Sequence, residues 1–150
     1  CLGMQVAVIE YARDVCGMTG ANSREFDPES PYKVIDFLPD QNDRTDKGGT
    51  LRLGHYDCVL KEGTQILAQY QRTEISERHR HRYEFNNLYR DQLESFGLVL
   101  SGISPNGKLV EAVELSEEAF YVGVQFHPEF KSRPNRAHPL FREFVKAAGK

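Results

Sequence analysis

The sequence predicts an α/β fold rich in strand, and three observations carry that prediction. Apolar residues recur at helical spacing near the start (Met4, Val8, Ile9, Ala12, Val15 and Cys16) and again over residues 140–147. Between these two stretches lie short alternating segments bounded by turn residues, the clearest being a β-hairpin across Pro105-Asn106-Gly107. The chain has 150 residues and no break in composition, repeat or low-complexity tract, which fits one domain of about 100–200 residues.

Taken in order, residues 3–16 read as a helix with Gly17 placed to end it. The stretch from Asn22-Ser23-Arg24-Glu25 through Asp27-Pro28-Glu29-Ser30-Pro31 reads as an ordered loop, because prolines and Asx/Ser residues favour turns. A short strand is expected at 34–38. Residues 41–49 are polar and end in glycine, so they are the expected mobile segment. Residues 50–54 and 56–60 read as two short strands with a turn between them, and 66–70 is ambiguous. Residues 79–85 alternate in twos, as a strand does. A short helix at 87–94 precedes the hairpin strands 98–104 and 108–115. Residues 121–126 form a strand aimed at His127, and 140–147 form a final amphipathic helix.

Composition removes several classes of function. With 39% hydrophobic and 27% charged residues the chain can build a core. Its net charge of -3 gives no global basic field to hold nucleic acid or an anionic bilayer. No apolar run approaches the ~20 residues of a membrane span, and the start lacks a signal-peptide pattern. A soluble, cytoplasmic chain is expected. Its cysteines, Cys1, Cys16 and Cys58, are odd in number and widely spaced, which suits neither a disulfide framework nor a zinc ribbon.

Cys1-Leu2-Gly3-Met4-Gln5 sets a thiol at the N-terminus of a helix, where free amides and the helix dipole favour a thiolate and an oxyanion. The plainer reading is that Cys1 is only the residue at which the chain was cut. His127-Pro128-Glu129 shifts the balance. On extended backbone, residues two apart face the same way, so Glu129 can orient the His127 ring while His127 faces a distant nucleophile. A strand-end histidine alone is more often a hydrogen-bonded structural residue.

Arg78-His79-Arg80-His81-Arg82-Tyr83-Glu84 is the densest charge cluster. Alternation would put Arg78, Arg80 and Arg82 on one face and His79 and His81 on the other. A nucleic-acid stripe conflicts with the flanking Glu74, Glu77 and Glu84, and a metal site on His79 and His81 lacks further ligands. A solvated or ion-paired face is the expectation, although one arginine has the bidentate grip that an amino acid's α-carboxylate needs. Gly48-Gly49-Thr50-Leu51-Arg52-Leu53-Gly54 lacks the Gly-Lys-Ser/Thr ending of a phosphate loop. It reads as turn plus strand, its glycines explained by close packing. His55 and His138 show no evident partners.

Cys1-Leu2-Gly3-Met4-Gln5, Ala21-Asn22-Ser23-Arg24-Glu25, Gly48 to Gly54, Glu77 to Glu84 and Gln125 to Pro134 together resemble the glutamine amidotransferase domain of the CTP synthases. The cysteine elbow and His-Pro-Glu are shared by class I, triad-type amidotransferases; the Arg/His cluster and His127-Pro128-Glu129-Phe130-Lys131-Ser132-Arg133-Pro134 are more particular. The resemblance implies a flavodoxin-like α/β fold and hydrolysis of L-glutamine to glutamate and ammonia. Cys1 would be the nucleophile, His127 its base and then acid, and Glu129 the residue orienting His127. Glutamine would be held by Leu2, Gly3, Met4 and Gln5, with Glu25 on its ammonium, Arg82 on its carboxylate and the Leu2 amide as an oxyanion donor.

The resemblance further implies that the ammonia passes to a synthetase domain of the same polypeptide, which aminates UTP with ATP and Mg2+, in a homo-oligomer. In the family a buried strand and a glycine-rich loop come before the cysteine. This chain is therefore expected to be the C-terminal portion of the amidotransferase domain, present only in part and inactive alone. Two rivals differ in kind: an N-terminal-nucleophile hydrolase, whose own α-amino group is the base, and a non-catalytic assembly fragment. The first does not need His127, and the helix expected after Cys1 argues against it.

Overall fold

The computed structural model describes residues 1–37, 51–117 and 120–149. Helix α1 (Leu2–Asp14) forms where expected, because Met4, Val8, Ile9 and Ala12 fall on one face and are buried there. Its last turn closes on Cys16 and Met18, whose amides donate to the carbonyls of Tyr11 and Ala12. Strand β1 (Asn22–Ser23) is a two-residue element within the predicted loop, and it runs parallel to β2 (Lys33–Phe37). Strand β3 (Arg52–Leu60) follows, then α2 (Gln65–Tyr70), β4 (Glu74–His81) and β5 (Tyr83–Phe85). A 3-10 turn (Asn87–Tyr89) leads into α3 (Arg90–Ser95). Strands β6 (Val99–Ile103) and β7 (Val110–Glu114) make the hairpin, β8 (Val122–Val124) adds beside it, and α4 (Pro139–Ala148) is the last element.

Two sheets result, one in the order β1-β2-β5 and one in the order β4-β3-β6-β7-β8. The architecture is α/β as expected; among these strands only β1 and β2 pair in parallel. Helix α1 packs Met4, Val8, Ile9 and Ala12 in one core with Val34, Ile35, Phe85, Leu100 and Val113. A second core gathers Cys58, Leu60, Ile66, Ile75, Ala112, Phe126 and Leu140. Removing this apolar surface from water is the dominant favourable term in the fold.

Four expectations are corrected. Residues 52–60 form one unbroken strand, paired with β4 from Arg52↔His81 to Val59↔Glu74, so the turn expected between residues 54 and 56 is absent. Gly54 is explained by its backbone, φ +105°, since no atom lies within 4 Å of an added Cβ. Conversely, the alternating segment 79–85 is split at Arg82 between two sheets. His138 is well partnered: its Nε2 lies 3.0 Å from both the Tyr70 hydroxyl and Glu77 Oε1, and its Nδ1 accepts from the Leu140 amide to cap α4. The ambiguous residues 66–70 are helical, capped by Thr64. Leu38, the expected mobile segment 41–49 and Thr50 lie outside the described residues.

Candidate functional site: a thiol, a histidine and a carboxylate at the end of β8

The site is built where β8 meets the first turn of α1. The Cys1 backbone nitrogen donates to the Val124 carbonyl at 2.6 Å, which docks the helix start on the end of β8. That close approach needs Gly123: a Cβ there would lie 3.2 Å from Val113 Cγ2 and 3.3 Å from both Cα and Cβ of Met4. The chain beyond β8 is pinned on its other side. The Gln125 amide donates to the Glu111 carbonyl (2.8 Å) and the His127 amide to the Arg78 carbonyl (2.9 Å). Cys1 and His127 are thereby carried on one continuous set of backbone hydrogen bonds.

His127 Nδ1 lies 2.6 Å from Glu129 Oε1. A carboxylate only accepts, so Nδ1 carries a proton, and in the neutral ring Nε2 is the nitrogen left to accept. Nε2 is buried with no protein partner, and the ring stacks on Phe130 with centroids 5.3 Å apart. Burial raises the Glu129 pKa, but the hydrogen bond from His127 and nearby positive charge outweigh it and hold the carboxyl below its ordinary value. The imidazole is thus fixed in tautomer and plane.

Leu2, Gly3 and Met4 form the first turn of α1, directly after Cys1. Leu2 is exposed, Met4 is in the core, and the first turn of α1 has no side-chain cap. Gln5 is buried, and its amide nitrogen donates to the Tyr83 carbonyl (3.0 Å) and to Gln125 Oε1 (3.2 Å). Glu25 and Arg82 are both exposed. Ser23↔Ile35 and Phe37↔Tyr83 pairing places them at one end of the three-stranded sheet, the end to which Gln5 ties the start of α1.

Sequence reasoning gave no role to Gln125, which is 0% exposed and whose Nε2 lies 3.4 Å from Cys1 Sγ. Its signal was there: an amide in the otherwise apolar Val122-Gly123-Val124-Gln125-Phe126 must find buried partners. Of the solvated or ion-paired face expected for this cluster, His79 and His81 follow the ion-paired alternative, buried beside Arg52, Glu84 and Glu111. Among the described residues no three His, Cys, Asp or Glu side chains cluster as a metal site, and no helix is long and apolar enough to cross a membrane. A cavity of about 500 Å³ lined by Asp57, Cys58, Arg72, Glu74, Ser76 and Lys131 includes none of the predicted site residues.

Known proteins are similar to this chain throughout. CTP synthases of Staphylococcus aureus strains NCTC 8325 and JH9 are each 58% identical over 148 residues, covering 99% of this chain and 28% of theirs. The chain thus spans little more than a quarter of the length of these curated relatives. A solved Trypanosoma brucei CTPS glutaminase domain with bound acivicin superposes with a TM-score of 0.91 at 39% identity, over 99% of this chain and 58% of that one. Residues 1–147 match the model of the family described as glutamine amidotransferase class-I, and the chain belongs to that family.

Proposed function

We propose that this chain is the glutaminase part of a CTP synthase, hydrolysing glutamine with Cys1, His127 and Glu129 and supplying ammonia for the amination of UTP to CTP. The observation that carries the reading is the His127 ring. Its Nδ1 is locked onto Glu129 and its Nε2 is buried without a partner, on a segment joined directly to Cys1 by the Val124 hydrogen bond.

In this mechanism His127 Nε2 takes the Cys1 thiol proton as the sulfur attacks the side-chain carboxamide carbon of glutamine. The amides of the first turn of α1, which no side chain caps, receive the oxyanion, Leu2 foremost. Collapse of the tetrahedral adduct breaks the C–N bond, and His127 returns the proton to the departing ammonia, leaving a γ-glutamyl thioester. His127 then deprotonates water, which cleaves the thioester to glutamate and regenerates the thiol. Glu129 steadies the imidazolium at each stage.

Glutamine is a zwitterion at its α-carbon, and one carboxylate and one guanidinium at the same end of a sheet suit it. Glu25 is assigned to the ammonium and Arg82 to the carboxylate, with Leu2, Gly3, Met4 and Gln5 along the side chain. UTP, ATP and Mg2+ belong to parts of the CTP synthases that this chain does not match.

The test is CTP formation by the complete polypeptide carrying Cys1→Ala. Glutamine-supported synthesis should vanish, because the thioester cannot form. Ammonia-supported synthesis should persist, because free ammonia bypasses it. Loss of both activities in a folded variant, or retention of both, refutes the reading.

A further inference from the structure

The Cys1 sulfur has a neighbour outside the proposed triad. Gln125 is wholly buried, and its amide nitrogen lies 3.4 Å from Cys1 Sγ. The direction of that contact is set several residues away. The Tyr83 carbonyl can only accept, so the Gln5 amide nitrogen faces it at 3.0 Å. The same nitrogen donates its second hydrogen to Gln125 Oε1 at 3.2 Å. With its oxygen committed to Gln5, Gln125 must turn its NH2 group toward the sulfur. The backbone of Gln125 cannot drift, because its amide is paired with the Glu111 carbonyl of β7.

We infer that Gln125 is a positioning residue for the nucleophile: its amide, oriented from the Tyr83 carbonyl through Gln5, donates to the Cys1 sulfur, fixes its rotamer and favours the thiolate over the thiol. A sulfur anion accepts such a hydrogen bond far better than a neutral thiol does, so the contact strengthens as the proton leaves. The inference rests on the reading of Cys1 as nucleophile for its catalytic meaning. The contact itself does not depend on glutamine chemistry.

The experiment follows alkylation of Cys1 by iodoacetamide across pH in the complete polypeptide, read by mass spectrometry of the peptide that carries Cys1. Cys16 and Cys58 are buried, and resolving peptides keeps other thiols out of the measurement. Gln125→Met removes the donor at similar volume. It should raise the Cys1 thiol pKa by about one unit, and so slow alkylation about tenfold at pH values below it, as loss of a hydrogen bond to a charged group implies. Gln125→Glu keeps the acceptor for Gln5 but sets a carboxylate against the sulfur; it should shift the profile at least as far, and it stands in if the Met variant does not fold. Gln5→Met leaves Gln125 in place but unoriented, and a smaller shift in the same direction is expected.

Folded Gln125 variants that lose stability yet keep the wild-type alkylation profile would overturn the inference and leave Gln125 a structural residue only. The outcomes separate cleanly from those of the functional reading. A shifted profile in Gln125→Met, together with full glutamine-dependent synthesis in Cys1→Ala, would keep the contact and refute the nucleophile. An unmoved profile together with a Cys1→Ala enzyme that loses glutamine-supported synthesis and keeps ammonia-supported synthesis would do the reverse.

Discussion

Glu129 shows how much of a site one short hydrogen bond can settle. At 2.6 Å from Nδ1 it holds a His127 proton on that nitrogen, and its carboxyl is held below the ordinary carboxylate range. Glu129→Gln keeps the size but can turn its amide NH2 toward Nδ1, which favours the tautomer with its proton on the wrong nitrogen. Glutaminase turnover in the complete enzyme should fall by about 10²–10⁴-fold, the span of a general acid–base contribution, while ammonia-supported synthesis stays at the wild-type rate. A turnover within twofold of wild type would remove Glu129 from this role. The spacing of His127 and Glu129 was legible in the sequence because residues two apart on extended backbone share a side. Gln125 was not, because its meaning depends on a chain of amide orientations that begins at Tyr83, far away in sequence.

Elements position the site through close contact rather than through long packing surfaces. Helix α1 approaches β8 so nearly that Gly123 has no room for a methyl group: Val113 and Met4 would lie 3.2 and 3.3 Å from it. Gly123→Ala must push these neighbours apart by a few tenths of an ångström, and overpacking of this kind costs about 1–3 kcal/mol. Urea unfolding should show that loss as a lower midpoint with an unchanged slope. Slower alkylation of Cys1 should accompany it, since the Met4 backbone that moves belongs to the turn holding the sulfur; unchanged stability would mean that the two elements are not in tight contact. Local signals sufficed for the elements governed by local chemistry. The hairpin at Pro105-Asn106-Gly107 and helix α1 stand where spacing put them. They failed where partners decide. Gly54 suggested a turn, yet continuous pairing with β4 carries the strand through it, and Arg82 sits in the middle of an alternating run that the two sheets divide between them.

On the scale of the whole molecule, the Arg/His cluster is a charged layer turned inward. Arg52 on β3 grips Glu111 on β7 through two hydrogen bonds, at 2.7 and 3.1 Å, and reaches Glu84 on β5 at 2.9 Å; His81 on β4 closes the group on Glu84. Period-two alternation correctly separated the exposed arginines 78 and 80 from the buried histidines 79 and 81. It could not say that the histidine face is buried, because Glu111 and Phe126, which meet His79, arrive from thirty residues or more downstream. His79 lies at the centre, between Tyr56 and Phe126. Glu111 Oε2 is 3.7 Å from its Nδ1, but that carboxylate is already bound by Arg52, and neither ring nitrogen has a hydrogen-bond partner. Burial first, then the positive charge of Arg52, with smaller contributions from His81 and His127, lowers the His79 pKa from 6.5 to about 2. The sign of the consequence follows from which state takes the proton. Below pH 6.5 the unfolded chain protonates this histidine and the native state does not, so its contribution is complete above 6.5 and declines as the pH falls. At full slope the loss is about 1.4 kcal/mol per pH unit for one proton. His79→Phe fills a similar space beside Phe126 and removes that proton uptake. Whatever stability the variant has at pH 7.5, its curve between pH 6.5 and 4.5 should therefore be shallower than the wild-type curve by nearly that slope, measured by urea unfolding at each pH. Parallel curves would show that His79 is protonated in the folded molecule and that the buried charge layer is open to water.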